Sequence, residues 1–148
     1  MMTLKDQLNA DLKEAMKGGD RVRIDTLRML RSAVKYGEIE AGAEFDDQGI
    51  LGVVAKQAKQ RRDAISEFEK AGRTDLVEKE TAELKILEGY LPAQLSEAEI
   101  RDRVRAIIQK LNVTDAKGTG LVMKQAMAEL KGQADGKVVN QIVRELLS

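Results

Sequence analysis

The chain has 148 residues, enough for one ordinary core or two small ones, and its 25 basic and 25 acidic side chains cancel, so any charge-based function must rest on local segregation. It contains no Cys, which excludes disulfides, thiol nucleophiles and thiolate metal sites, and no His, which removes the commonest general base and metal ligand. Hydrolytic triads and zinc enzymes drop out, and no cofactor is expected.

The amino-terminal stretch MMTLKDQLNADLKEAM alternates apolar with charged residues from its fourth position on, unlike the unbroken apolar core of a secretory signal. No stretch approaches the ~20 apolar residues needed to span a bilayer. The reading that follows is a soluble, cytoplasmic protein with no membrane partner.

Thr3 can cap a first helix running to about Lys17, with Leu4, Leu8, Leu12 or Asp11, and Ala15 or Met16 on one side, before Gly18 and Gly19 stop it. Asp20 can cap a second, whose buried stripe is Ile24, Leu27, Leu30 and Val34. A Gly- and acid-rich loop follows; the acidic run from Glu38 to Asp47 lacks calcium-loop spacing and reads as a solvated linker ending in a cap. Asp46 can cap a third helix, stapled by Phe45 and Ile50, that runs to about Gly72. A fourth covers about Asp75 to Glu88, with Leu76, Leu84 and Leu87 inward.

Pro92, the single proline, disfavours the α conformation at Leu91, so the fourth helix should stop near Gly89, which can take the left-handed conformation of a helix end. SEAE then restarts the helical pattern, with Ser96 and Glu99 able to form a capping box. A boundary is therefore placed here, dividing the chain into 1–92 and 93–148. Beyond it come three shorter helices, about 97–110, 119–131 and 136–147, with Val104, Ile107, Leu111, Met123, Met127, Leu130, Val139, Ile142 and Leu146 among their apolar positions. The expected fold is all-α: an N-terminal bundle of about four longer helices followed by a small three-helix tail domain. Residues 1–92 hold 16 basic and 18 acidic side chains and residues 93–148 hold 9 and 7, so charge barely separates the halves.

Three basic features stand out. In the run AKQAKQRRDAISEF at 55–68, a 100° helical projection puts Lys56 and Lys59 on the wet side with carboxylate neighbours. Arg61 falls inside the apolar stripe and Arg62 at its margin, so both read as structural arginines that bind helices together. In the second helix Arg21, Arg28, Arg31 and Lys35, spaced by seven, three and four, gather on one face beside the apolar one and can hold phosphates. In the tail, KGTG at 117–120 and KGQADGK at 131–137 each lead into a helix whose amino-terminal amides favour anions, with Lys117, Lys131 and Lys137 adding charge. No preceding strand and no GK[ST] ending makes either a P-loop. SAVK at 32–35 matches S-x-x-K without its companion motifs and reads as chance. With only Phe45, Phe68, Tyr36 and Tyr90 as aromatics, base stacking is unfavoured, and an RNA partner would be held by shape and backbone.

The stretches TLRMLRSAVKYGEIE, KQRRDAISEFEKAGRTDLVEKETAELKILEGYLPAQLSEAEI and GLVMKQAMAELKGQADGKVVNQIVRELL, with the YLP break in place, resemble the GatB/YqeY family over nearly the whole chain. The chain is similar to stand-alone YqeY proteins and to the carboxy-terminal part of GatB, a subunit of the tRNA-dependent amidotransferase. That resemblance implies a helical domain plus a small tail that helps hold tRNA, the tail corresponding to Ser96 through Ser148 and including Gly120, Met123, Lys124, Lys131, Gly132 and Lys137. GatB tails tend to read G-x-A-N-P before the last helix; here GQADG puts Asp135 and Gly136 in place of Asn and Pro, adding negative charge where a phosphate would approach. The parts of GatB that activate substrate and transfer the amide have no counterpart here.

The expectation is therefore a non-catalytic RNA-binding module, with tRNA as the partner, or an adaptor for amidotransferase or aminoacyl-tRNA-related proteins. Its contacts would come from Arg21, Arg28, Arg31, Lys35, Lys117, Lys124, Lys131 and Lys137. The alternatives are a carbon–nitrogen ligase using glutamine as amide donor, as the family name suggests, and a helical module that binds only proteins.

Overall fold

The computed structural model describes residues 2–148, and among them all regular structure is helical. Thr3 accepts the Asp6 backbone N–H while the Asp6 carboxylate accepts the Thr3 N–H, a reciprocal cap that starts α1 (Leu4–Gly18). Gly19, at φ +68°, ends it in the left-handed conformation that a side chain with a Cβ resists. Asp20 caps α2 (Arg21–Ala41) and Asp46 caps α3 (Asp47–Lys70), each carboxylate accepting a backbone N–H three residues on. α4 (Thr74–Glu88) starts without a side-chain cap.

By its internal packing the chain divides into two compact units, Met1–Leu91 and Pro92–Ser148. In the first, α2 and α3 each pack on the other three helices. Leu8, Leu12 and Ala15 of α1, Ile24, Leu27, Leu30 and Val34 of α2, Ile50, Val54 and Ala58 of α3, and Leu87 of α4 form its buried core. Met16 lies on the solvent side of α1. Leu76 and Leu84 are only half-buried, and the second buried residue of α4 is Glu83.

Two departures from expectation have local causes. α2 runs on past the apolar stripe to Ala41, carrying Gly37 and Glu38, because the Phe45 ring folds back onto it: a Cβ at Gly37 would stand 2.8 Å from that ring, and one at Gly49 of α3 2.9 Å from it. Gly89 stays right-handed, at φ −61°, rather than turning left-handed. There the helix tightens before Pro92, with the N–H groups of Tyr90 and Leu91 donating three residues back to Leu87 and Glu88.

The second unit packs α5 (Glu97–Leu111), α6 (Thr119–Glu129) and α7 (Gly136–Leu147) around one another. Ser96 and Glu99 form the second capping box, and the bonds donated by Ser96 hold the Glu99 carboxyl below the usual glutamate range. A short 3-10 turn over Ala116–Gly118 precedes α6. In α6 Val122, Ala126 and Leu130 are buried, while Met123 is half-buried and Met127 exposed, because α5 and α7 cover the face next to the methionines. In α7 the buried set is Val139, Ile142, Val143 and Leu147, with Leu146 at its edge.

Candidate nucleic-acid interface

On α2, burial of Ile24, Leu27, Leu30 and Val34 turns the adjoining face outward. Arg21, Arg28, Arg31 and Lys35 are all exposed there. Among the described residues none of the four has a carboxylate within ion-pairing distance. Their neighbour Arg23, closer to the core, behaves differently, lying 3.8 Å from Asp11 and 3.6 Å from Glu14 on α1. α2 therefore separates one arginine that ties helices together from four cations whose charge is open to a partner.

The basic run on α3 has the opposite character. Arg61 is 7% exposed and takes the position after Ala58 in the buried stripe. Its Nε lies 3.5 Å from carboxylate oxygens of both Glu80 and Glu83 on α4, and its Nη1 donates to Gln57 at 3.3 Å. Burial pushes the Glu83 carboxyl above the usual glutamate range; Glu80 beside it adds to the rise and Arg61 opposes it. Arg62 lies 3.8 Å from Glu88. Lys59 pairs with Asp63 one turn on at 3.1 Å, and Lys56 is exposed.

Glu38 belongs to α2 rather than to a solvated linker. It accepts from Lys5 Nζ at 2.6 Å and from the Phe45 backbone N–H at 2.7 Å, which together hold its carboxyl below the ordinary value. The same bond raises the Lys5 ammonium. The carboxylate is thereby neutralised next to Arg31 and Lys35, with which it shares a cleft of about 460 Å³ between α1 and α2.

In the second unit Lys117, Lys124, Lys131 and Lys137 are all exposed. The two glycine loops are less open to anions than their composition suggests. Asp115 accepts the Lys117 backbone N–H and Asp135 accepts that of Lys137, both at 3.0 Å, so in each loop a carboxylate already occupies an amide that an anion would use. The second loop is also tied down: its Gly132 and Gln133 carbonyls accept from the Gln94 side chain at 2.7 Å and the Leu95 N–H at 2.9 Å. The lysine side chains, rather than the loop amides, carry the positive surface here.

One further feature of α2 is apolar and does not emerge from a search for charge. Val22, Met29, Tyr36 and Ile39 form a second row along the helix, spaced seven, seven and three, and are exposed, Tyr36 by 65% and Ile39 by 70%. The spacing is visible in the sequence. That the row faces solvent follows only from which side of α2 the other helices cover.

The architecture is thus that of a two-unit helical module with a row of cations that have no carboxylate partner among the described residues. The chain belongs to the YqeY-like family: the profile described as Yqey-like protein matches residues 5–147. Among curated proteins it is similar to one of Pyrenophora tritici-repentis, 32% identical over 145 residues that cover 95% of this chain and 79% of the relative. It is likewise similar to one of Lachancea thermotolerans, 37% identical over 131 residues, 86% of this chain and 68% of the relative. A third, from Kluyveromyces lactis, is 40% identical over 111 residues, 73% of this chain and 60% of the relative. All three are named Altered inheritance of mitochondria protein 41, mitochondrial.

These relatives overturn the cytoplasmic expectation, since their names place them in mitochondria. No helix among the described residues is long and apolar enough to cross a membrane, and that property does not select a compartment.

Proposed function

We propose that the chain is a non-catalytic RNA-binding module that holds the phosphate backbone, with tRNA as the partner class. The observation that carries this reading is the row Arg21, Arg28, Arg31 and Lys35, four exposed cations on one helix face with no carboxylate partner among the described residues. Lys117, Lys124 and Lys131 add exposed charge in the second unit. The similarity to the carboxy-terminal region of GatB favours tRNA over other RNAs. Filter binding of tRNA across a salt series tests it: affinity should fall steeply with salt, because each phosphate that a cation neutralises releases condensed counterions. Affinity absent at low salt, or flat with salt, would rule the reading out.

A second reading, a helical adaptor for proteins, is favoured by the exposed apolar row Val22, Met29, Tyr36 and Ile39. Affinity purification that recovers one protein stoichiometrically and no RNA would support it, and charged substitutions at Met29 and Tyr36 should then abolish recovery.

A further inference from the structure

The cleft between α1 and α2 has a property that the row of cations alone does not. One wall carries Arg31, Ser32 and Lys35 of α2, and the other carries Asn9 of α1. The Ser32 hydroxyl and the Asn9 carboxamide make no hydrogen bond within the chain, and Arg31 and Lys35 have no carboxylate partner, among the described residues. The carboxylate in the cleft, Glu38, is engaged by Lys5 and the Phe45 N–H and is not left to repel an anion. Leu8 and Val34, both buried, close the floor.

A guanidinium, an ammonium, a hydroxyl and a carboxamide thus line one space from two walls. Their uncancelled charge is that of Arg31 and Lys35, which suits a singly or doubly charged anion. A carboxylate could engage the guanidinium fork with its two oxygens and would leave donors from the opposite wall unused. A tetrahedral phosphate offers oxygens in both directions, and the planar arginine fork matches two of them. We propose that this cleft binds one phosphate group, with room over the apolar floor for the organic part of an ester. The inference shares Arg31 and Lys35 with the RNA reading but stands on Asn9 and Ser32, which that reading does not use. The phosphate can belong to an RNA backbone or to a free phosphate ester.

The test is a titration of the isotope-labelled full chain with inorganic phosphate at constant ionic strength, read by NMR. The expected result is saturable shifts at the Asn9 side-chain amide and at Arg31, Ser32 and Lys35. Asn9→Ala and Ser32→Ala, both at exposed positions and neither altering charge, should each weaken phosphate binding roughly tenfold, the worth of one hydrogen bond to a charged group. Arg103→Ala, which removes an exposed cation of α5 outside both sites, should leave it unchanged. Absence of saturation, or equal weakening by Arg103→Ala, would overturn the proposal. A short oligouridylate added to the phosphate-saturated chain separates the sources: displacement assigns the cleft to a backbone phosphate, and retention assigns it to a free ester. Should Asn9→Ala and Ser32→Ala leave phosphate binding intact while tRNA binding persists, the RNA reading survives and the cleft does not.

Discussion

The Tyr90 phenol, just past the end of α4, donates a 2.5 Å hydrogen bond to Asp11 Oδ2 in the middle of α1. The two residues are 79 positions apart in sequence, so this bond clasps the last turn of the first unit onto its first helix. Burial, and then the bond to Asp11, push the phenol well above the ordinary tyrosine range. Tyr90→Phe should lower stability by about 1.5–3 kcal/mol, the usual worth of a hydrogen bond to a charged group. Urea unfolding measures the loss, and an alkaline absorbance titration should lose its latest phenol transition.

Arg61 is held between Glu80 and Glu83, so removing it leaves two neighbouring carboxylates without their buried cation. Arg61→Met should cost about 3–5 kcal/mol, as when one member of a buried ion pair is deleted. Adding Glu80→Gln and Glu83→Gln should recover much of it, a non-additivity that a thermal-unfolding cycle with the two glutamates changed together as one arm reads directly.

Glu83 and Glu38 should give pH dependences of opposite sign. The raised Glu83 carboxyl holds its proton more tightly in the folded than in the unfolded chain. Its contribution is therefore full below the ordinary value of 4.5 and is lost as pH rises through the raised one. The lowered Glu38 carboxyl does the reverse: its contribution is present above 4.5 and disappears as pH falls through the lowered value. Unfolding measured from pH 3 to 7 should show Glu83→Gln flattening the slope above ~4.5 and Glu38→Gln flattening it below.

Gly118 lies against Val113, and a Cβ there would come within 2.1 Å of the valine Cγ1. Valine is stiff at χ1 and cannot swing aside cheaply. Gly118→Ala should destabilise the second unit by about 1–3 kcal/mol through overpacking. Val113→Ala in the same chain should restore part of that stability, as followed by hydrogen exchange of α5 to α7.

If the cations grip RNA backbone, charge reversal at Lys124 and Lys131 should weaken tRNA binding across all sequences tested, without changing any sequence preference. Each lysine removed from a phosphate should reduce the slope of log affinity against log salt by about one. The same measurement on Arg21→Ala and Arg28→Ala apportions the effect between the two units.

Much of the fold was legible because helix starts are local events. Thr3, Asp20, Asp46 and Ser96 each accept an N–H three residues ahead, so the cap and the group it serves lie in the same few letters. The buried stripe of α2 was legible for a similar reason, since a 3.6-residue period needs one covered side and nothing more. The face of α6 was not: Val122 and Ala126 lie one residue before Met123 and Met127, so both adjoining faces read as apolar, and packing against α5 and α7 decides which is covered. Gly89 departs from expectation because a glycine near a helix end permits the left-handed state without requiring it, and the tightening turn before Pro92 meets the same need.

The candidate site divides along the same line. By itself the sequence determined that Arg21, Arg28, Arg31 and Lys35 share a face, that Arg61 lies within an apolar stripe, and that neither Cys nor His is available for chemistry. Only the tertiary structure decided which charges are already spent. Arg61 finds its carboxylates on α4, and Glu38 finds Lys5 on α1, 33 residues away, whereas Arg31 and Lys35 find none among the described residues and face Asn9 across a cleft. Helical periodicity acts over a few residues and places a side chain on a face; an ion pair acts over a few ångströms, and which residues come that close is settled by packing.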